Sequence, residues 1–310
     1  MDNNKDNWEQ DTIKQLLFAT LKEQRNKRRW SILFKILGFS YVLFITVLVI
    51  IGDTKISSKE YKGAHSALIE IEGEIGKNHP ANAENINQSL KNAFQHKQTK
   101  GIILKINSPG GSPVQARQIY SAILRLRKEY PDIKVYASIE DMGTSAAYLI
   151  ATAADQIYSD ETSLVGSIGV IIDSFGFVDT LNKLGIERRL YIAGKNKAML
   201  DPFSPRNHEQ EKFMNEQLDL VHKIFIKNVV DRRPLLDKRV DTQEIFSGKF
   251  WVGKAALDLG LVDGFGDSQY IATEVIQASE IRDFTLQPSL VDRLSTRFKL
   301  MLKGILFRIS

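Results

Sequence analysis

The sequence predicts an α/β domain of repeated βα units preceded by one transmembrane helix. Three observations predict it. Short β-branched apolar runs alternate with longer helical stretches across residues 65–280. Ahead of them, residues 32–52 carry a single charge, Lys35. The composition, 43% hydrophobic and 25% charged, is that of a folded chain rather than a disordered one.

The apolar run from Ile32 to Ile51 matches a hydrocarbon core of about 30 Å at a helical rise of about 1.5 Å per residue. Lys35 sits near its start, where the stem can lead the amine back to the headgroups. A cleaved leader fits poorly. The run exceeds the usual 7–15 or so residues of a leader and is followed by Gly52-Asp53-Thr54-Lys55 rather than a small-residue exit. Lys22, Arg25, Lys27, Arg28 and Arg29 precede it, whereas the charges just after it nearly balance, so the N-terminus is expected in the cytoplasm. The predicted organisation is a cytoplasmic segment 1–31, an anchor 32–52, a stalk 53–64, an α/β domain 65–280 and a basic amphipathic segment 281–310.

Within the domain, strands are expected at Ala67–Ile71, Gly101–Ile106, Val135–Ser138, Gln156–Ser159, Ile168–Ile172 and Arg189–Ile192. Helices are expected at Glu84–Phe94, Val114–Arg127, Ser145–Ala154, Val178–Leu184 and from Asn207 to Val230. Near the C-terminus, Leu290, Leu294, Phe298, Met301 and Ile305 recur at three- and four-residue spacing among five basic residues. That pattern fits a surface or oligomer-packing helix and equally a helix lying on a membrane.

The net charge of +5 is carried by the ends: residues 1–35 hold eight basic and five acidic side chains, and residues 290–310 hold five and one. Basic termini beside apolar stretches suit an anionic bilayer, and no nucleic-acid partner is expected. The absence of cysteine excludes disulfides, thiol nucleophiles and thiolate metal sites. The five histidines form no HExxH pair, so neither a metal nor another cofactor is indicated.

Four segments could carry chemistry. Asn107-Ser108-Pro109-Gly110-Gly111 ends a strand; it is either a plain strand-to-helix turn or a source of backbone donors for an oxyanion. In Met142-Gly143-Thr144-Ser145-Ala146-Ala147-Tyr148, Ser145 is either a helix cap or a nucleophile with the Ala146 N–H beside it. Gly166-Ser167-Ile168-Gly169 puts a hydroxyl in a turn, either structural or placed to hold an amine. In Gly194-Lys195-Asn196-Lys197, both lysines read as solvated loop residues unless burial or neighbouring cations depress an amine enough for it to act as a base.

Taken together in this order, these segments resemble the signal peptide peptidase family, the SppA and SohB group of serine-lysine peptidases with a ClpP/crotonase-like fold, in its short single-domain form. Ala153-Ala154-Asp155, Trp251-Val252-Gly253-Lys254-Ala255-Ala256 and Gly260-Leu261-Val262-Asp263 extend the likeness. The resemblance implies Ser145 as nucleophile, Lys197 as general base, Ser167 as the residue orienting the lysine, and the Gly111 and Ala146 N–H groups as the oxyanion hole. It also implies apolar or signal-peptide substrates, no cofactor, and a homo-oligomer with shared active sites at the bilayer. Where the family has Ala-Ser-Gly-Gly, this chain has Thr144-Ser145-Ala146-Ala147, and the added methyls narrow the approach to the serine. Two rivals follow from the same resemblance: an inactive membrane scaffold, and an acyl-CoA-processing enzyme.

Overall fold

The computed structural model describes residues 3–55, 63–233, 236 and 242–286. The expected C-terminal amphipathic helix and most of the expected stalk lie outside them. The chain divides into two compact units, one holding the N-terminal helix and the other spanning Lys62–Gln287. Helix α1 runs without a break over Asn3–Lys55, well beyond the expected apolar span. Its stretch Ile13–Val47 is long and apolar enough to cross a membrane, and none of it is buried.

The second unit is built on a largely parallel sheet. In chain order its elements are β1 (His65–Glu72), α2 (Ala83–Gln95), β2 (Thr99–Ser108), α3 (Pro113–Glu129), β3 (Lys134–Thr144) and α4 (Ala146–Ala151), a clear βα alternation. β4 (Gln156–Ser159), β5 (Leu164–Gly166), α5 (Val178–Lys183), α6 (His208–Arg232), α7 (Thr242–Ile245) and β6 (Phe250–Val252) follow. The unit closes with α8 (Gly253–Asp258), β7 (Gly264–Phe265), α9 (Ser268–Tyr270), one π-helical turn over Ile271–Val275 and β8 (Ile281–Asp283).

The main strand order is β6-β5-β3-β2-β1-β8, with only the β5–β6 pair antiparallel. β3 changes neighbours along one edge. Tyr136–Ile139 pair with β4, whereas Met142–Thr144 pair with β5. The sheet therefore divides just before Ser145. The β-branched runs that predict β1, β2 and β3 are buried on both faces, as parallel strands under helices must be. The larger core lies under α2, α3 and α4, with Ile86, Leu90 and Phe94 spaced along one face of α2. A smaller one, Leu68, Ile103, Ile271 and Ala272, lies under the π-helical turn.

Helix starts follow local chemistry. Asn82, Ser112 and Asn207 each accept a hydrogen bond from the first turn of α2, α3 and α6, and Pro113 pre-sets the backbone of α3. Two expected strands do not form. Ile168–Ile172 and Arg189–Ile192 have no regular structure. Their branched side chains suit a strand, but among the described residues no neighbouring strand meets them. Ile171 and Tyr191 are 83% and 89% exposed. At the other end, Ile281–Asp283, which the sequence reading leaves in the C-terminal segment, pairs with Ser66–Leu68.

Candidate active site

Ser145 stands where β3 ends and α4 begins. It occupies the cap position of α4, yet its side chain caps nothing. Its backbone is at φ 54° and ψ −122°, a region that costs a non-glycine residue about 1–3 kcal/mol. Backbone bonds hold it there: Ser145 N–H donates to the Gly166 carbonyl at 2.7 Å, and Leu149 N–H donates to the Ser145 carbonyl at 3.1 Å. The sharp turn leaves a half-buried hydroxyl at the mouth of a helix rather than turned in on it. Behind it, α4 is buried along its whole length. The Tyr148 hydroxyl donates to the Leu261 carbonyl at 2.7 Å, and burial pushes its pKa far above the usual phenol value, so it stays a donor. Past the far end of α4, Arg127 and Arg232 donate to the carbonyls of Thr152, Ala153 and Ala154.

The glycine turn lies directly against this elbow. A side-chain carbon on Gly110 (φ +105°) would come within 2.8 Å of the Ser145 β-carbon and 3.0 Å of the Ala146 nitrogen. At Gly111 (φ +139°) it would come within 2.2 Å of the Ile75 carbonyl oxygen. Ile75 N–H donates to Gly110, and Ser112 N–H donates to Ile75, both at 2.8 Å. The parallel bridge so formed turns the Gly111 N–H away from Ile75. Ala146 is the first residue of α4, in the turn whose donors lack helical acceptors.

Gly111, Ser145 and Ala146 line one cleft of about 430 Å³. Its other walls come from the start of α3, from Leu149, from residues 169–171 and from the second half of α6. The cleft is chiefly apolar. Ser167, also at positive φ (52°), does not line it; its N–H donates to the Lys249 carbonyl at 2.8 Å. Lys197 does not line it either. It is exposed, in a turn closed by its own N–H donating to Gly194 at 3.0 Å. Lys195 is exposed too, paired with Glu209 at 3.1 Å. Of the five expected site residues the single chain thus gathers Gly111, Ser145 and Ala146, with Ser167 one strand away and Lys197 apart. Among the described residues no cluster of potential metal ligands occurs.

The sequence profile of peptidase family S49 matches residues 127–282, half of the chain. The chain belongs to peptidase family S49. The matched stretch of this member of family S49 contains Ser145, Ser167 and Lys197, while Gly111 lies before it. Among curated proteins, a Na(+)/H(+) antiporter NhaA of Brucella melitensis is 47% identical over 179 residues, 57% of this chain and 24% of that one. A putative signal peptide peptidase SppA of Enterococcus faecium is 29% identical over 66% of this chain and 58% of that one. The putative protease MJ0651 of Methanocaldococcus jannaschii is 31% identical over 59% and 57%. The chain therefore spans from about a quarter to under two thirds of the length of these relatives.

Two family-like segments acquire a structural account. The Asp155 carboxylate accepts from Val135 N–H at 2.9 Å and pairs with Arg127, tying the turn after α4 to β3. Asp263 accepts from Ile157 N–H at 2.7 Å and forms a two-pronged pair with Arg233 at 2.7 and 2.9 Å. Several residues that shape the site escape a reading of the sequence. α6 buries only Phe225, Asn228 and Val229, and no periodic signal marks which face of so polar a helix meets the cleft. Arg127 and Arg232 read as ordinary surface charges until their carbonyl partners are known.

Proposed function

We propose that this S49 chain is a membrane-anchored serine endopeptidase that cuts remnant signal peptides and other apolar segments. The observation that carries the reading is Ser145: a hydroxyl free of capping duty, held in a strained turn at a helix start, beside Gly111 in an apolar cleft. Ser145 Oγ attacks the peptide carbonyl, and the N–H groups of Gly111 and Ala146 receive the oxyanion. A lysine amine, that of Lys197, takes the serine proton and passes it to the leaving amine; water then hydrolyses the acyl-enzyme. Ser167 orients the lysine.

Because Lys197 is exposed and outside the cleft of its own chain, the reading requires it to come from a neighbouring copy. The apolar surface around it supports such an assembly: Phe175 is 75% exposed, as are large parts of Ile171 and Tyr191. In this reading α1 anchors the oligomer with residues 1–31 in the cytoplasm, the catalytic unit on the far side is of the ClpP/crotonase type, and no cofactor takes part.

The test uses detergent-solubilised protein and a leucine- and alanine-rich peptide. Cleavage is expected to vanish in Ser145→Ala and in Lys197→Ala, and to return in part when the two variants are unfolded, mixed and reassembled. Equal cleavage by all forms would reject the dyad. Two inactive variants that stay inactive on mixing would reject the shared site.

A further inference from the structure

A second cavity, of about 230 Å³, lies past the end of α4 opposite to Ser145. Its walls carry four cations, Arg127, Lys128, Lys134 and Arg232, and one carboxylate, Asp155. Both oxygens of that carboxylate are engaged: Oδ1 pairs with Arg127, and Oδ2 accepts from Val135 N–H at 2.9 Å. The two guanidiniums converge. Arg127 Nη1 and Arg232 Nη2 donate to the same oxygen, the Ala154 carbonyl, at 3.4 and 3.3 Å. Among the described residues no carboxylate pairs with Arg232, and its neighbour Asp231 is held by Lys227. Lys134 Nζ donates to the carbonyl of Pro131, another wall residue, at 3.3 Å, and both lysines are exposed. Capping explains part of this arrangement, because the last carbonyls of a helix attract cations. It does not explain two full charges meeting on one neutral oxygen with two more beside them. Burial above all, with Arg232 adding to it and Asp155 opposing, holds the Arg127 pKa below its ordinary value. Each guanidinium also spends only part of its five or so N–H donors on these partners.

We propose that this cavity is a phosphate-binding site, in which one tetrahedral oxyanion lies between the guanidiniums of Arg127 and Arg232 and the amines of Lys128 and Lys134. A guanidinium offers parallel donors to two phosphate oxygens at once, and the lysines add charge that needs no fixed direction. The anion removes the repulsion that the single carboxylate leaves uncompensated. The phosphate is either free in solution or borne by a lipid headgroup. In the parallel ladder His65 pairs with Thr99 and Gly101 with Lys134, so the cavity opens at the edge of the sheet where β1 begins. The chain enters the unit at that edge, shortly after α1 ends at Lys55, which makes the headgroup a source to test beside the free anion. The inference stands apart from the peptidase reading and uses neither Ser145 nor Lys197.

The melting midpoint of the full chain in a nonionic detergent is followed while inorganic phosphate replaces chloride at constant ionic strength. A second series adds a short-chain phosphatidic acid, or the matching diacylglycerol that lacks the phosphate. The midpoint is expected to rise saturably with a phosphate compound, by about 4 °C at about ten times its dissociation constant. Each variant is read against its own midpoint in chloride. The Lys128→Gln, Lys134→Gln double variant is expected to lose most of the rise. Lys77→Gln with Lys91→Gln removes the same charge from exposed positions elsewhere and should keep it. A rise with phosphatidic acid, at concentrations where inorganic phosphate and the diacylglycerol give none, assigns the site to a lipid headgroup. Equal rises with inorganic phosphate and phosphatidic acid assign it to the free anion. No saturable rise with either compound would overturn the inference. So would a rise of the same size in both double variants, because phosphate would then act by its general exclusion from protein surfaces.

Discussion

At the scale of single residues, the strained backbone of Ser145 separates chemistry from stability. Alanine at this position removes the hydroxyl but inherits the unfavourable φ of 54°, whereas glycine removes both. Ser145→Gly is therefore expected to raise unfolding stability by about 1 kcal/mol over Ser145→Ala, measured by urea titration, with both variants inactive. Gly110→Ala should act oppositely, since its new carbon meets the Ser145 β-carbon at 2.8 Å. Activity would fall at least a hundredfold as the elbow is pushed off line. The serine and glycines of the site were legible in the sequence because small residues at a strand end leave few alternatives. The residue alone left Ser145 open between a cap and a nucleophile, since both share the same residue type and the same position; the missing cap hydrogen bond is a fact of three dimensions. Lys197 illustrates the converse: its motif is readable, while nothing in the motif says that it is exposed and outside the cleft of its own chain.

Elements introduce longer-range constraints. The βα alternation through α4 was legible because parallel strands buried on both faces must be apolar throughout. The short β6 and β8 were not, because three residues carry no period and their pairing is set by distant neighbours. Arg233 shows how such pieces are held. It is 6% exposed and joins the end of α6 to Asp263 and to the Gly260 carbonyl. Arg233→Ala leaves a buried carboxylate short of its counter-charge and should cost about 3 kcal/mol, seen as an earlier urea midpoint. A second tie depends on acidity. His96 Nε2 meets Arg282 at 2.8 Å, a contact that needs the ring nitrogen unprotonated, and it joins α2 to β8. Burial first, then the charges of Arg282 and His65, hold the His96 pKa below its ordinary 6.5. The unfolded chain thus takes up the proton more readily, so this contribution is intact above about pH 6.5 and is lost as the pH falls through the depressed folded value. Urea midpoints at pH 7.5 and 5 should differ less in His96→Gln, which cannot titrate, than in the wild type.

For the whole molecule, the N-terminal helix and the α/β unit fall in distinct compact units; the apolar stretch of the helix was legible from hydropathy, its extension back to Asn3 was not. A reporter fused after residue 286 is expected to be active only outside the cytoplasm; activity confined to the cytoplasm would reverse the proposed orientation. The failed strand expectations at Ile168–Ile172 and Arg189–Ile192 fall in segments that leave Ile171, Ile172, Leu190, Tyr191 and Ile192 exposed. If the proposed assembly forms through this surface, replacing Ile171 and Phe175 together by aspartate should reduce the mass seen by light scattering to that of one chain. Residues 169–171 also form one wall of the cleft next to Ser145. In the proposed shared-site assembly, loss of a neighbour would unwrap this cleft, so turnover per molecule should decline on dilution and recover on reconcentration, and traces of such an enzyme stranded away from its fellows would be harmless to the proteins around them.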